Sequence, residues 1–158
     1  MAHGARAWCP QWVRVAFFRD DENRVSGWSA VRGKRTVVPG PLMALGRGGI
    51  PHDLAQYVIE ASTGYAHGFW GLLAQGATFA SSGRKRTKPG RAVIVEHRQE
   101  LNASEQLARL HLTAWQQGVD SDVTRALEAA DAAFRLLQPG ERLVYDWPAP
   151  RGRVETAE

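Results

Sequence analysis

The residues from Ile50 to Phe79, IPHDLAQYVIEASTGYAHGFWGLLAQGATF, constrain the fold more than any other stretch of the chain. They hold the longest run of strong helical patterning with aromatic content. Pro51 suits the first turn of a helix because its ring fixes φ. Leu54, Tyr57, Val58 and Ala61 then recur at helical spacing and form one apolar stripe. Gly64 is a natural stop, because glycine takes the left-handed conformation at a helix end without strain. A second, more apolar helix is predicted from about Ala66 to Gln75, with Phe69, Trp70, Leu72 and Leu73. Gly68 and Gly71 interrupt it, each costing about 1 kcal/mol against alanine in a helix interior. Their presence predicts close approach of another backbone at that face.

Strand signals come before this unit, and helices and one strand follow it. Trp12 to Arg19, Arg24 to Val31 and Arg35 to Val38 are rich in β-branched and aromatic residues. Asp20 to Asn23 and Arg32-Gly33-Lys34 read as the turns between them. Pro39-Gly40-Pro41 ends the third strand, because proline cannot donate to a ladder. Ala92 to Gln117 reads as one long helix, with Asn102 and Glu105 at capping-box spacing as an alternative restart. Leu107, Leu110, His111, Ala114 and Trp115 mark its inward stripe. Ser121 or Asp122 caps a last helix that runs to about Leu137, with Val123, Leu127, Ala130, Phe134 and Leu137 buried. Glu141 to Trp147 alternates as a final strand. The order predicts an α+β fold: a three-stranded antiparallel N-terminal meander plus a C-terminal strand, with about four helices between them on one face of the sheet.

The length of 158 residues suits one domain, predicted over residues 11–148 with flexible tails at 1–10 and 149–158. The single cysteine, Cys9, excludes an internal disulfide and fits a reducing compartment. No run approaches the length of a membrane span, and no signal-peptide pattern opens the chain. These features predict a soluble, cytoplasmic protein with no membrane partner. Six tryptophans are many for this length, which predicts that some face a partner.

Three constellations could carry chemistry. The first is His52, Gln56 and Glu60, four apart on one helix face, with Asp53 beside them. An imidazole and a carboxylate there could line a cleft, or hold a metal given further ligands from elsewhere. However, eight positions of helical rise separate His52 from Glu60 by about 12 Å, so this helix alone is expected to make no tight metal site. Ile59 flanks the same side, which predicts a partly covered face. The second is Glu96, His97 and Glu100, where His97 and Glu100 stand three apart. Surface ion pairing is the plainer account of that set. His67 and His111 sit among apolar residues and read as hydrogen-bonded core histidines. The third is the basic stretch Ser81 to Arg91, with Arg84, Lys85, Arg86, Lys88 and Arg91. It reads as an exposed, mobile loop that could meet phosphate together with Arg32, Lys34 and Arg35. It lacks the interleaved aromatics of a single-strand binder. No nucleophile elbow, Walker loop, dinucleotide fingerprint or zinc framework is present, and no cofactor follows from the sequence.

The segments PHDLAQYVIE and GYAHGFWGLLAQGATF together resemble a set of small, uncharacterised bacterial proteins with a Pro-His-Asp-Leu helix and a Gly-Phe-Trp-Gly segment. The resemblance implies that residues 51–79 act as one unit, and it implies no mechanism. The sequence as a whole predicts a binding or accessory module working through protein–protein contact, with a partner protein or a second copy. The alternative from another class is a small metal-dependent or acid–base enzyme using His52 and Glu60. A third reading is non-specific nucleic-acid binding through residues 84–91.

Overall fold

The computed structural model describes residues 12–33, 36–45, 49–82 and 85–157. The predicted tail at 1–10, together with Lys34, Arg35 and Arg84, lies outside them. The fold is α+β. Its sheet contains β1 (Val13–Asp20), β2 (Val25–Arg32), β3 (Thr36–Pro39), β4 (Met43–Ala44), β5 (Glu141–Trp147) and β6 (Arg153–Thr156). The main strand order is β3-β2-β1-β5-β6, and β4 also pairs with β2. Every pairing is antiparallel.

Alternation along the strands puts one row of side chains under the helices. Val13, Val15 and Phe17 are buried, and their cross-strand partners in β5 are Trp147, Tyr145 and Leu143. On the other flank Phe17 faces Trp28, and Val15 faces Ala30. The opposite face of the sheet is partly open to water, as an antiparallel sheet can be, although Val144 is buried on it. There Arg14 and Arg153 both pair with Asp146, at 3.1 and 2.8 Å. The turn between β1 and β2 is closed by Asp20, which accepts from the backbone and side chain of Asn23.

Five helices lie between β4 and β5: α1 (His52–Thr63), α2 (Phe69–Ala74), α3 (Lys88–Glu96), α4 (Arg98–Gln116) and α5 (Asp122–Arg135). α1 is the central one and packs against α2, α4 and α5. It is buried from Leu54 through Glu60, so it has no solvated face in that stretch. Gly64 ends it with φ 69°. Trp70 is the centre of an aromatic cluster. Its ring meets Trp28, Phe69, Tyr57 and Phe17 at centroid distances of 4.8, 5.0, 5.5 and 5.7 Å, all edge-on. Such pairs add about 0.5–1.5 kcal/mol beyond their buried area. α5 starts with a reciprocal capping pair between Ser121 and Thr124 and buries Val123, Leu127, Ala130 and Phe134 as its period demands.

Three expectations change. The long helix expected from Ala92 is two helices. The first begins earlier, at Lys88, because Thr87 caps it by accepting from the Gly90 backbone and Pro89 fits its first turn. The break falls at His97, whose φ −112° and ψ 22° are not helical. Within α4, Leu110 points to water and Ala108 is buried in its place. The stretch 149–158, expected to be a tail, carries β6 paired along β5. It is further tied down by Tyr57, whose hydroxyl donates to the Ala149 carbonyl at 3.0 Å. All four residues of this short strand are exposed, so no buried apolar pattern announces it.

Candidate functional site

The structure does not bring His52 and Glu60 together. Glu60 is only 1% exposed, and its carboxylate closes the start of α2. The backbone N–H groups of Phe69 and Trp70 each donate to it at 3.0 Å, and Gln56 Nε2 donates at 3.1 Å. A helix leaves its first N–H groups without intrahelical partners, and a carboxylate from another helix satisfies two of them here. Burial pushes the Glu60 pKa up to about 7, against the pull of those hydrogen bonds. Gly68 is required by this approach, because a Cβ there would lie 2.4 Å from the carboxylate carbon. At Gly71 a Cβ would meet the Ala66 carbonyl at 1.9 Å. The expected backbone approach is therefore found at Gly71, whereas at Gly68 the intruder is a side chain. Glu60 and Gln56 read as a covered polar face that closes a helix end.

His52 stands at the other end of α1, exposed on the rim of a groove. This groove has a volume of about 570 Å³. Its aromatic lining is Phe17, Trp28 and Phe134, and Met43, Leu45 and Ile50 form its sides. The polar residues that line it are Arg19, Ser26, His52, Asp53 and Arg135. Asp53 accepts from Trp28 Nε1 at 3.0 Å through one oxygen. Its other oxygen lies 3.6 Å from His52 Nδ1, and this neighbour raises the His52 pKa. Arg19 is fixed by Asp21 at 2.6 Å and by the carbonyls of Phe134 and Arg135 at the end of α5. Sequence reasoning singled out His52 but had no means of seeing that β2, the 41–45 segment and the end of α5 would meet beside it.

A second constellation assembles between the loop joining α1 to α2 and the start of α4. His97 and Glu100 come together as their spacing suggested, with His97 Nδ1 3.1 Å from a Glu100 oxygen. Glu96 is not part of the group. Its place is taken by His67, expected in the core, whose Nδ1 makes a very close contact with the other Glu100 oxygen. The two imidazoles stack, with centroids 4.1 Å apart and planes 16° apart. The Glu100 carboxyl is held below its usual range, first by the His97 hydrogen bond and also by His67. Tyr65 donates to the Glu100 carbonyl at 2.6 Å and fixes the loop that carries His67. No spacing signal links positions 67 and 97; only the packing of that loop on α4 does.

The described residues of the basic stretch from position 86 onward are anchored. Arg86 Nε donates to the Thr78 carbonyl at 3.2 Å, and Thr87 is the cap of α3. Lys88 and Arg91 lie in α3 itself, and Lys85 is exposed. Arg32 donates to the Leu73 carbonyl at 3.0 Å. Among the described tryptophans, Trp28, Trp70 and Trp147 are core residues, Trp115 is half-buried, and only Trp12 is exposed, at 52%. No described helix is long and apolar enough to cross a membrane. No protein-family model, curated protein or solved structure matches this chain.

Proposed function

We propose that the protein is a binding module for a small molecule with an apolar body and one polar end, held in the groove beside His52. The observation that carries this reading is the groove itself. Its volume of about 570 Å³ falls in the range of ligand pockets, about 300–1,000 Å³. Its aromatic lining suits an apolar body, and few polar groups converge on it. His52, positioned by Asp53, is the group that meets the polar end. Asp53 is itself fixed by the Trp28 indole, so this carboxylate is oriented before a ligand arrives, with His52 3.6 Å away. Such preorganisation lowers the cost of binding.

The test uses anilinonaphthalene sulfonate, which has this shape, followed by fluorescence and by ligand-observed NMR. Ala44 is exposed and lines the groove, so Ala44→Trp fills the space from the surface, and thermal unfolding verifies that the variant is folded. Wild type is expected to bind the probe, and Ala44→Trp to bind it at least about tenfold more weakly, roughly 1.4 kcal/mol. Equal binding by both, or none by wild type, would remove the groove as a ligand site.

A further inference from the structure

The geometry points to a divalent transition-metal site built from His67, His97 and Glu100, with zinc the ion its donors fit. The site is separate from the groove and does not depend on it. Three donor atoms, one from each residue, lie within 4.8 Å of one another. Two ligands each about 2.0–2.1 Å from a tetrahedral zinc ion lie about 3.3 Å apart. The His97 to Glu100 contact of 3.1 Å is close to that separation already.

The arrangement of the imidazoles favours ligation over capping. His97 occupies the cap position of α4, yet its side chain accepts no backbone hydrogen bond there. Instead it lies flat against His67, and both Nδ1 atoms aim at the same carboxylate. Two neutral rings with their protons on Nε2 would present two lone pairs to an ion at that point. Glu100, ionised, would supply the third donor and leave the bound site with one net positive charge. Imidazole and carboxylate together suit zinc and its neighbours in the first transition row.

The protein holds these residues from firm supports. Glu100 sits in the first turn of α4, and His97 is fixed by the junction of α3 and α4. His67 comes from the loop after α1, which Tyr65 pins to α4. Side-chain exposures of 18% for His97, 35% for His67 and 48% for Glu100 leave one side open to water. A three-ligand set with an open fourth position has the pattern of a site that exchanges a bound water, unlike a closed structural site.

The experiment is calorimetric titration of the full chain with zinc, with magnesium as the comparison ion, on wild type and on His67→Ala, His97→Ala and Glu100→Gln. His111→Gln serves as a control histidine outside the site. Thermal unfolding without metal verifies that each variant is folded. Cobalt(II) absorption gives a second readout that reports nitrogen and oxygen ligation directly. Wild type is expected to bind one zinc ion at about 1 μM or tighter. Each of the three variants should lose at least about a hundredfold, more than supporting residues do, while His111→Gln binds as wild type. Zinc binding no tighter than magnesium, or full zinc and cobalt signals in the folded variants, would overturn the site and show His67, His97 and Glu100 to be a hydrogen-bonded cluster only.

Discussion

Replacing Glu60 with glutamine is expected to change how stability depends on pH, and the size of the change follows from its setting. The folded pKa is about 7 and the ordinary value is 4.5. Between these values the folded protein holds a proton that the unfolded chain has lost. Stability therefore falls as pH rises through this window, and the group's contribution is complete below 4.5. At about 1.36 kcal/mol per pH unit, the loss from pH 4.5 to above 7 is about 3 kcal/mol. Glutamine cannot titrate, so Glu60→Gln removes this slope. It also replaces one acceptor oxygen by an amide nitrogen, leaving one donor among the Phe69 and Trp70 N–H groups and Gln56 without its partner. An unsatisfied buried donor costs about 1–3 kcal/mol. Glu60→Gln should thus be the less stable protein at pH 4.5 and should draw level with wild type near pH 8. Urea unfolding of both proteins at half-unit pH steps measures this. All other groups are common to both proteins, so their effects cancel in the difference. Parallel profiles from pH 4.5 to 8 would refute the assignment of a protonated, buried Glu60.

Two further outcomes follow from the packing. Trp70→Ala should cost about 3–5 kcal/mol in denaturant unfolding, because it empties the centre of the aromatic cluster; wild-type stability would show that the ring is dispensable there. Replacing Ser82 to Lys88 with a short Gly-Ser link should cost roughly 1 kcal/mol through loss of the Thr87 cap. No change in melting temperature would mean that α3 starts without it.

Much of the sheet was legible because its code is local. Val13, Val15 and Phe17, and later Leu143, Tyr145 and Trp147, recur at every second position and share one face, although Val144 between them is buried as well. Helix starts were legible where a capping residue marks them, as Ser121 does. Glu60 misled because period alone puts it with His52 and Gln56 on a polar side. Whether such a side meets water depends on what packs over it, and here the first N–H groups of α2 do. His67 was lost for the same reason. Its neighbours Ala66 and Phe69 suggested a core histidine, and nothing in sequence spacing reports that a loop after α1 lands on the first turn of α4. The groove is the extreme case, since its walls come from three parts of the chain.

The position of β1 within the sheet sets a schedule. β2 follows β1 closely, and Phe17 meets Trp28 as soon as the first hairpin closes. The other edge of β1 is claimed by β5, and Phe17 must wait for Leu143. On the ribosome this strand emerges before β5 and stays half-satisfied until all five described helices have been made. An open edge of this kind invites pairing with the wrong chain. Non-local pairing of this sort is also slow. The arginines at 14 and 19 therefore matter before the native state exists, because charge on a waiting strand discourages a second copy from adding to it. Arg14 finds Asp146 only when β5 arrives, whereas Asp21 stands two residues from Arg19 and is at hand from the start.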